Sequence, residues 1–178
     1  MCSSDLEFTT NEGTWMSLDA SPNGRTLVFE LLGDVYSIAV SGGRAQPLLT
    51  GRAFQSQPRF SPDGSQLTFI SDESGSDNVW IANADGSGAR QVTRLPRAGM
   101  LSPAWSADGR SVCVTVANTF GERTAELWRF DVQSGEGTRL VANPNGPAQP
   151  LVSAPLPRSE EHTSELQSPC NLVCRLLL

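Results

Sequence analysis

The sequence predicts an all-β fold, an incomplete β-propeller of about three four-stranded antiparallel blades plus the start of a fourth. One turn phrase recurs three times, at Ser21 to Gly24, Ser61 to Gly64 and Ser106 to Gly109. The copies are spaced by roughly 40–45 residues, the repeat length of a propeller blade. Each copy is followed by a β-branched run and then by an aromatic strand, which is typical of consecutive strands joined by short turns.

The repeated phrase has the chemistry of a type I turn. In Ser61-Pro62-Asp63-Gly64 the serine hydroxyl can bond to turn amides, and proline presets φ at the second position. Aspartate suits the third position and glycine the fourth. The third copy carries Ala107 in place of proline and is less preorganised. Each phrase therefore predicts the hairpin between the first two strands of a blade.

The strands of the first blade follow this turn in order. Leu32-Gly33-Asp34 predicts a tight reversal between the second and third strands, and Ser41-Gly42-Gly43 predicts the next turn. The four predicted strands are Trp15 to Asp19, Arg25 to Glu30, Val35 to Val40 and Gln46 to Thr50.

The second and third blades repeat this order. The strands of blade two are predicted at Gln57 to Phe60, Leu67 to Ser71, Asn78 to Ala82 and Arg90 to Thr93. Those of blade three are predicted at Pro103 to Trp105, Ser111 to Val116, Glu126 to Asp131 and Thr138 to Val141. A fourth blade is predicted to begin at Gln149 to Val152. The length variation falls in the hairpin between strands two and three, where loops accept insertions.

Large aromatic residues occupy one equivalent place in the third strand of each blade. Tyr36, Trp80 and Trp128 are predicted to pack between neighbouring blades, where one ring buries roughly 150–250 Å². Three blades cannot close a ring, so an open arc is predicted. Its apolar flank is expected near Trp105, Val114 and Trp128, and is expected to favour self-association.

Both ends of the chain are predicted to be foreign to the domain. Arg158 to Ser168 corresponds to the translation of a common sequencing adapter, and Met1 to Leu6 corresponds to its reverse strand. The predicted organisation is therefore an adapter-derived head at 1–6, a partial propeller at 7–157, and an adapter-derived or disordered tail at 158–178.

No catalytic, cofactor-binding or metal site is predicted in this chain. A Ser-His-Asp triad needs histidine, catalytic zinc usually needs several His or Cys ligands, and a phosphate-binding P-loop needs lysine. The chain has no lysine. Cys113 lies on an apolar strand and is predicted to be a buried, inert thiol. The only histidine and the other three cysteines, His162, Cys2, Cys170 and Cys174, fall in or beside the adapter segments.

The acidic segments are interpreted as turns and solvated charges. Asp72 to Asn78 is acidic, and Asn83 to Gly86 imitates part of a calcium loop, but no distal glutamate completes that pattern. Nothing in the spacing of the remaining carboxylates singles out a catalytic pair, so solvated loop charges are predicted at Glu12, Glu30, Asp34 and Glu122.

Composition excludes two classes of partner. The net charge is −6, without a basic patch, so nucleic acid is not an expected partner. No apolar run approaches the ~20 residues of a membrane helix. The presence of 13 arginines without lysine indicates a GC-rich bacterial source.

A family resemblance is carried by residues 12–36. Their phrases Glu-Gly-Thr-Trp-Met and Leu-Leu-Gly-Asp-Val-Tyr resemble the N-terminal TolB-like, WD-repeat-like propeller of bacterial amidohydrolases. Gln57 to Gly64, Ile70 to Asp72 and Asn78 to Trp80 continue the likeness, which covers about residues 8–140. The Ser-Pro-Asp-Gly repeat is shared by many TolB-like propellers, whereas the two longer phrases are narrower.

The resemblance implies a non-catalytic scaffold or substrate-gating domain, placed before a metal-dependent hydrolase barrel in the parent protein. The histidine and aspartate ligands of that barrel have no counterparts here, so a divalent metal such as zinc is expected only in the parent. The implied partners are the remaining blades, the catalytic domain and possible protein ligands. The implied location is periplasmic or secreted. Two alternatives remain open: a TolB-type periplasmic protein-binding propeller, and the propeller of a prolyl-oligopeptidase-like serine peptidase.

Overall fold

The computed structural model describes residues 10, 12–13, 16–96, 98–118 and 125–141. These ranges contain strands and turns only, so none of them supplies a helix able to cross a membrane. The predicted head at 1–6, the start of the fourth blade at 149–152 and the tail at 158–178 lie outside the described residues. The boundaries of the predicted domain therefore stay predictions.

The described strands form three antiparallel sheets of four consecutive strands each, which confirms the predicted blades. Blade one contains β1 (Leu18–Ala20), β2 (Thr26–Leu31), β3 (Asp34–Ala39) and β4 (Gln46–Leu49). Blade two contains β5 (Gln55–Phe60), β6 (Gln66–Ser71), β7 (Asn78–Asn83) and β8 (Arg90–Gln91). Blade three contains β9 (Ala98–Trp105), β10 (Ser111–Asn118), β11 (Ala125–Asp131) and β12 (Gly137–Val141).

Two inner strands begin earlier than the sequence predicts. β5 starts at Gln55 and β9 at Ala98, because each strand continues through a β-bulge. The bulges contain Gln57 and Ser102, whose φ angles are +54° and +56°. A proline follows each of them, and a proline lacks the N–H that a regular ladder would use. Pro58 and Pro103 therefore lie in bulges within the strands and not at the beginnings of the strands.

The recurrent turns close as predicted. The Gly64 N–H donates to the Ser61 carbonyl at 2.8 Å, and the glycine has a φ of +73°. The Ser61 hydroxyl donates to Asp63 Oδ1 at 2.6 Å and accepts the Gln66 N–H at 2.9 Å. In the other two turns the glycine N–H likewise donates to the carbonyl of the serine three residues earlier. The distance is 2.8 Å for Gly24 and 2.9 Å for Gly109.

Two apolar clusters join the three blades side by side. Successive strand residues point to opposite faces, so each blade can contact one neighbour with each face. The junction of blades one and two contains Val28, Val35, Leu49, Leu67, Phe69 and Ala82. The junction of blades two and three contains Ile70, Val79, Ile81, Val92, Met100, Val112, Val114, Phe130 and Val132.

Two of the three strand-three aromatics pack between blades as predicted. Trp80 packs against the junction of blades one and two, and Trp128 against the junction of blades two and three. Tyr36 belongs to neither cluster. It stacks on Phe29 with ring centroids 5.8 Å apart, on the face of blade one opposite to Val35. That face points away from blade two.

The predicted apolar flank near Val114 is wrong. Val114 has no exposed surface and packs into the junction of blades two and three, and Trp105 and Trp128 pack against the same cluster. Because side chains alternate along β10, Val114 lies on one face of the blade and Cys113 and Thr115 lie on the other. The pattern shows that a strand has two faces, but it does not show which face meets the preceding blade. Self-association stays an untested prediction.

Candidate functional site

The described residues show no assembled catalytic chemistry. No group of three or more His, Cys, Asp or Glu side chains converges within the described part of the chain. Cys113 is half-buried, which corrects the prediction that it is buried, and it forms no disulfide there. Burial raises the pKa of the Cys113 thiol, and the positive charge of Arg129 offsets this only in part. A raised pKa disfavours the reactive thiolate, so an inert thiol fits this environment.

The acidic loops use their carboxylates in local hydrogen bonds. Asp72 Oδ1 accepts the N–H of Phe54 at 2.7 Å, and Asp85 Oδ1 accepts the N–H of Ser87 at 2.9 Å. Burial, followed by the charge of Asp72, raises the pKa of Asp77. The Asp85 contact is the predicted turn chemistry, whereas Asp72 joins two loops of blade two whose residues are 18 positions apart. The predicted lack of a metal site stays a prediction.

The most organised polar feature lies along the inner strands β1, β5 and β9, which contact one another in chain order. We call Ser17, Gln57 and Ser102 the bulge line. The Gln57 N–H donates to Ser17 Oγ at 2.9 Å, and the Ser102 N–H donates to Gln57 Oε1 at 2.6 Å. In both contacts a side-chain oxygen from one blade accepts a backbone N–H from the next blade.

The backbone explains why these amides are available. A β-bulge removes a residue from the ladder of its own sheet, and Gln57 and Ser102 lie in such bulges with positive φ. Positive φ is uncommon for a residue other than glycine and persists where the surroundings enforce it. Each of these two amides finds its acceptor in the preceding blade, so neither bulge leaves its N–H unsatisfied.

Glu30 strengthens the first contact of the bulge line. Its Oε2 accepts the Ser17 hydroxyl at 2.8 Å and lies 3.3 Å from the Gln57 nitrogen, which donates to it as well. Glu30 lies on β2, within the predicted second strand, and bridges two blades, so the prediction that it is a solvated charge is wrong. The pairs Gln57-Pro58 and Ser102-Pro103 were the available signal for the two bulges, since each pair begins four residues before the serine of its turn.

A second set of contacts runs beside the bulge line. Asp19 Oδ2 accepts the N–H of Phe60 at 2.8 Å, and Arg59 Nη1 donates to the Leu18 carbonyl at 2.8 Å. The indole N–H of Trp105 donates to the Arg59 carbonyl at 3.2 Å. Burial raises the pKa of Asp19, although the Phe60 N–H and the Arg59 charge act in the opposite direction. Both junctions are therefore fixed by polar contacts at their inner edge.

Asp34, another of the four predicted solvated charges, accepts two hydrogen bonds within blade one. Its Oδ1 accepts the Gly51 N–H at 3.2 Å, and its Oδ2 accepts the Tyr36 hydroxyl at 3.4 Å. Glu12 is exposed as predicted, and Glu122 lies outside the described residues.

An exposed apolar pair lies on the loops. Leu32, between β2 and β3, is 74% exposed, and Phe54, just before β5, is 54% exposed. The Phe54 ring covers Gly33, where an added Cβ would lie 2.8 Å from Phe54 Cδ2. The Gln55 N–H donates to the Gly33 carbonyl at 2.8 Å. We call Leu32 and Phe54 the loop-face pair.

Repeated four-stranded antiparallel blades, joined by polar contacts along their inner strands, define a β-propeller domain. The chain belongs to the family of tricorn protease N-terminal β-propeller domains, whose sequence profile matches residues 18–153.

Named relatives agree with this family. The chain is 28% identical over 142 residues to tricorn protease homolog 1 of Streptomyces coelicolor, which covers 77% of this chain and 13% of that protein. It is 41% identical over 95 residues to the uncharacterized peptidase YuxL of Bacillus subtilis, covering 53% of this chain and 14% of that protein. The chain thus spans about one seventh of the length of each of these relatives.

A solved TolB structure shares the fold. The TolB structure from Agrobacterium tumefaciens superposes with a TM-score of 0.66 at 21% identity, covering 74% of this chain and 51% of that one. The predicted TolB-like propeller is thereby confirmed at the level of fold.

Proposed function

We propose that this chain is the propeller portion of a larger peptidase, in which it acts as a scaffold or substrate gate for a catalytic domain elsewhere in the protein. The match of residues 18–153 to the tricorn propeller family carries the proposal. Two relatives named a tricorn protease homolog and a peptidase support it. The peptidase alternative of the sequence analysis therefore takes precedence over the amidohydrolase interpretation.

The described geometry suits a supporting role. The bulge line and the contacts of Asp19 fix neighbouring blades against each other at their inner edge. A rigid frame of this kind can present loops to a second domain. Leu32 and Phe54 supply exposed apolar area on the loops for such a contact.

A TolB-type protein-binding propeller is the second candidate, supported by the shared fold with TolB and by the loop-face pair. A periplasmic or secreted location is proposed with it. The amidohydrolase parent, with a divalent metal such as zinc in its own barrel, rests on the phrases of residues 12–36 alone.

The parent reading frame distinguishes these functions. We expect a downstream segment with a Gly-x-Ser-x-Gly nucleophile motif, and peptidase activity in the full-length protein. A downstream His-x-His metal barrel would replace the proposal with the amidohydrolase. A stop codon directly after the propeller would replace it with the binding module. In the full-length peptidase, Leu32→Asp is expected to change cleavage of long peptides more than that of dipeptide reporters, whereas Val40→Asp serves as a matched exposed control.

A further inference from the structure

A groove of about 310 Å³ lies between the outer strand of blade two and the turn that joins β11 to β12 in blade three. Its lining includes Arg90 and Arg94 from blade two, both exposed, and Ser134 from the turn. Val92 and Val132 also line it and belong to the buried cluster between these blades, so they form an apolar floor. We call these five residues the arginine groove.

The two sides of the groove are held close together by the backbone. An added Cβ at Gly135, in the turn, would lie 2.5 Å from the carbonyl oxygen of Val92, so only glycine allows this approach. The Val92 N–H in turn donates to the Val79 carbonyl at 2.8 Å. The groove is therefore formed before any ligand enters it, which lowers the entropic cost of binding.

The same architecture occurs without arginines at the junction of blades one and two. There the Cβ position of Gly86 meets the Leu48 carbonyl, so Leu48 corresponds to Val92. The residues two positions before and two positions after Leu48 are Gln46 and Thr50. The packing of one blade on the next therefore does not require the two arginines that blade two carries at the corresponding positions.

No described carboxylate pairs with these two arginines. Among the described residues, the one ion pair joins Arg139 to Glu126. Asp131, at the start of the turn, accepts the N–H groups of Ser134 and Gln133 through its Oδ1, at 2.8 and 2.9 Å. The bonds from Ser134, and then that from Gln133, lower the pKa of Asp131, and no arginine contributes to this shift. The described part of the chain thus leaves two positive charges at the groove without an anionic partner.

These features favour a compact anion that has an apolar stem. Guanidinium groups bind carboxylates through two parallel hydrogen bonds. A nucleic acid would extend beyond the groove over a chain whose net charge is −6, which repels it. The floor of Val92 and Val132 suits the methylene groups of a glutamate side chain better than it suits a bare phosphate. We propose that the arginine groove binds a glutamate-containing segment of a partner polypeptide. This binding does not depend on whether the parent protein is a peptidase.

A peptide titration of the 178-residue protein tests the proposal. The probe is an acetylated and amidated pentapeptide of alternating alanine and glutamate, and the corresponding alanine–glutamine peptide is its control. NMR signals of the arginine Nε–H groups report contact with Arg90 and Arg94 directly. We expect these signals to shift with the glutamate peptide, with a dissociation constant of about 1 mM or lower, and not with the glutamine peptide. Raising NaCl from about 50 to 500 mM should weaken binding severalfold through screening.

Two double variants separate the groove from the overall charge. Arg90→Gln with Arg94→Thr gives blade two the residues that blade one carries, and it should weaken binding by about fivefold or more. Arg44→Gln with Arg52→Thr removes two exposed arginines that flank β4 and is the charge-matched control, which should bind like wild type. Arg90→Lys with Arg94→Lys keeps the charge without the planar guanidinium and should lie between the two.

Four outcomes would overturn the proposal. Equal binding of the two peptides would show that carboxylates are not recognised, and equal weakening in the Gln/Thr double variants would assign binding to the overall charge. Unshifted signals of Arg90 and Arg94 in the wild-type protein at about 10 mM glutamate peptide would exclude the groove without any variant. Inorganic phosphate that binds more tightly than the glutamate peptide would make the groove a site for free oxyanions.

Discussion

The side-chain oxygen Oε1 of Gln57 accepts the backbone N–H of Ser102 at 2.6 Å, across the junction of blades two and three. The two residues are 45 positions apart in sequence (102 − 57) and both have positive φ. One hydrogen bond therefore couples two strained backbone sites in neighbouring blades.

Replacing Gln57 by Met is expected to lower the free energy of unfolding by about 1–3 kcal/mol. Methionine keeps the length of the side chain but leaves the half-buried Ser102 N–H without its acceptor. Gln66→Met is the matched control, since Gln66 is half-buried on β6 and its side chain makes no described hydrogen bond. Urea denaturation followed by tryptophan fluorescence measures both variants. Equal losses in the two variants would contradict the role of Gln57.

Alanine substitutions at Gly86 and Gly42 distinguish the free-energy cost of backbone strain from that of a steric contact. Their φ angles are +84° and +87°, but an added Cβ at Gly86 would overlap the Leu48 carbonyl, whereas Gly42 has no atom within 4 Å of that position. Gly42→Ala should cost about 1–2 kcal/mol, the cost of the left-handed conformation. Gly86→Ala should cost about 1–3 kcal/mol more, because the turn must move away from β4. Thermal denaturation of the pair measures the difference, and equal costs would show that the contact with Leu48 is dispensable.

Leu32→Asn should stabilise the protein by about 0.5–1 kcal/mol. Leu32 has a φ of +56° and is 74% exposed. The change therefore relieves backbone strain and loses almost no buried apolar surface. Asparagine tolerates the left-handed region better than leucine does. Val40→Asn, at an exposed site without positive φ, is the control and should not stabilise. Chemical denaturation decides, and a loss of stability in Leu32→Asn would reveal a packing role for this side chain.

The carboxylate of Asp63, in the second turn, should make the free energy of unfolding depend on pH. Hydrogen bonds from the Ser61 hydroxyl and then from Ser65 lower the pKa of Asp63 from 3.8 to about 2. A lowered pKa in the folded state means that the contribution is present above pH 3.8 and is lost as the pH falls towards 2.

Asp63→Asn should therefore be less destabilising at pH 2 than at pH 6. The first turn carries Asn23 at the equivalent position, so Asn23→Asp should acquire the same acid dependence. Denaturation midpoints between these two pH values measure both variants. A pH-independent difference between wild type and Asp63→Asn would contradict this explanation.

Local sequence predicted the blades because their signals are local. The phrase Ser61 to Gly64 contains its own hydrogen-bond donors and acceptors, and it closes in the structure as its residues require. The propeller fold and the blade order thus followed from short-range chemistry and its repetition, whereas the TolB-like assignment came from the resemblance of residues 12–36 to that family.

The polar contacts between the inner strands of neighbouring blades could be identified only from the tertiary structure. Glu30 differs in no sequence feature from a solvated carboxylate, yet it meets the Gln57 N–H from a different blade. Val114 was assigned to the wrong face, because alternation fixes the relative orientation of neighbours and leaves the identity of the facing sheet open. Sequence by itself determined the repeat and its turns, and its resemblance to TolB-like propellers indicated the fold. Only the packing of blade against blade decided which side chains became joints, since those contacts link residues 27 to 46 positions apart.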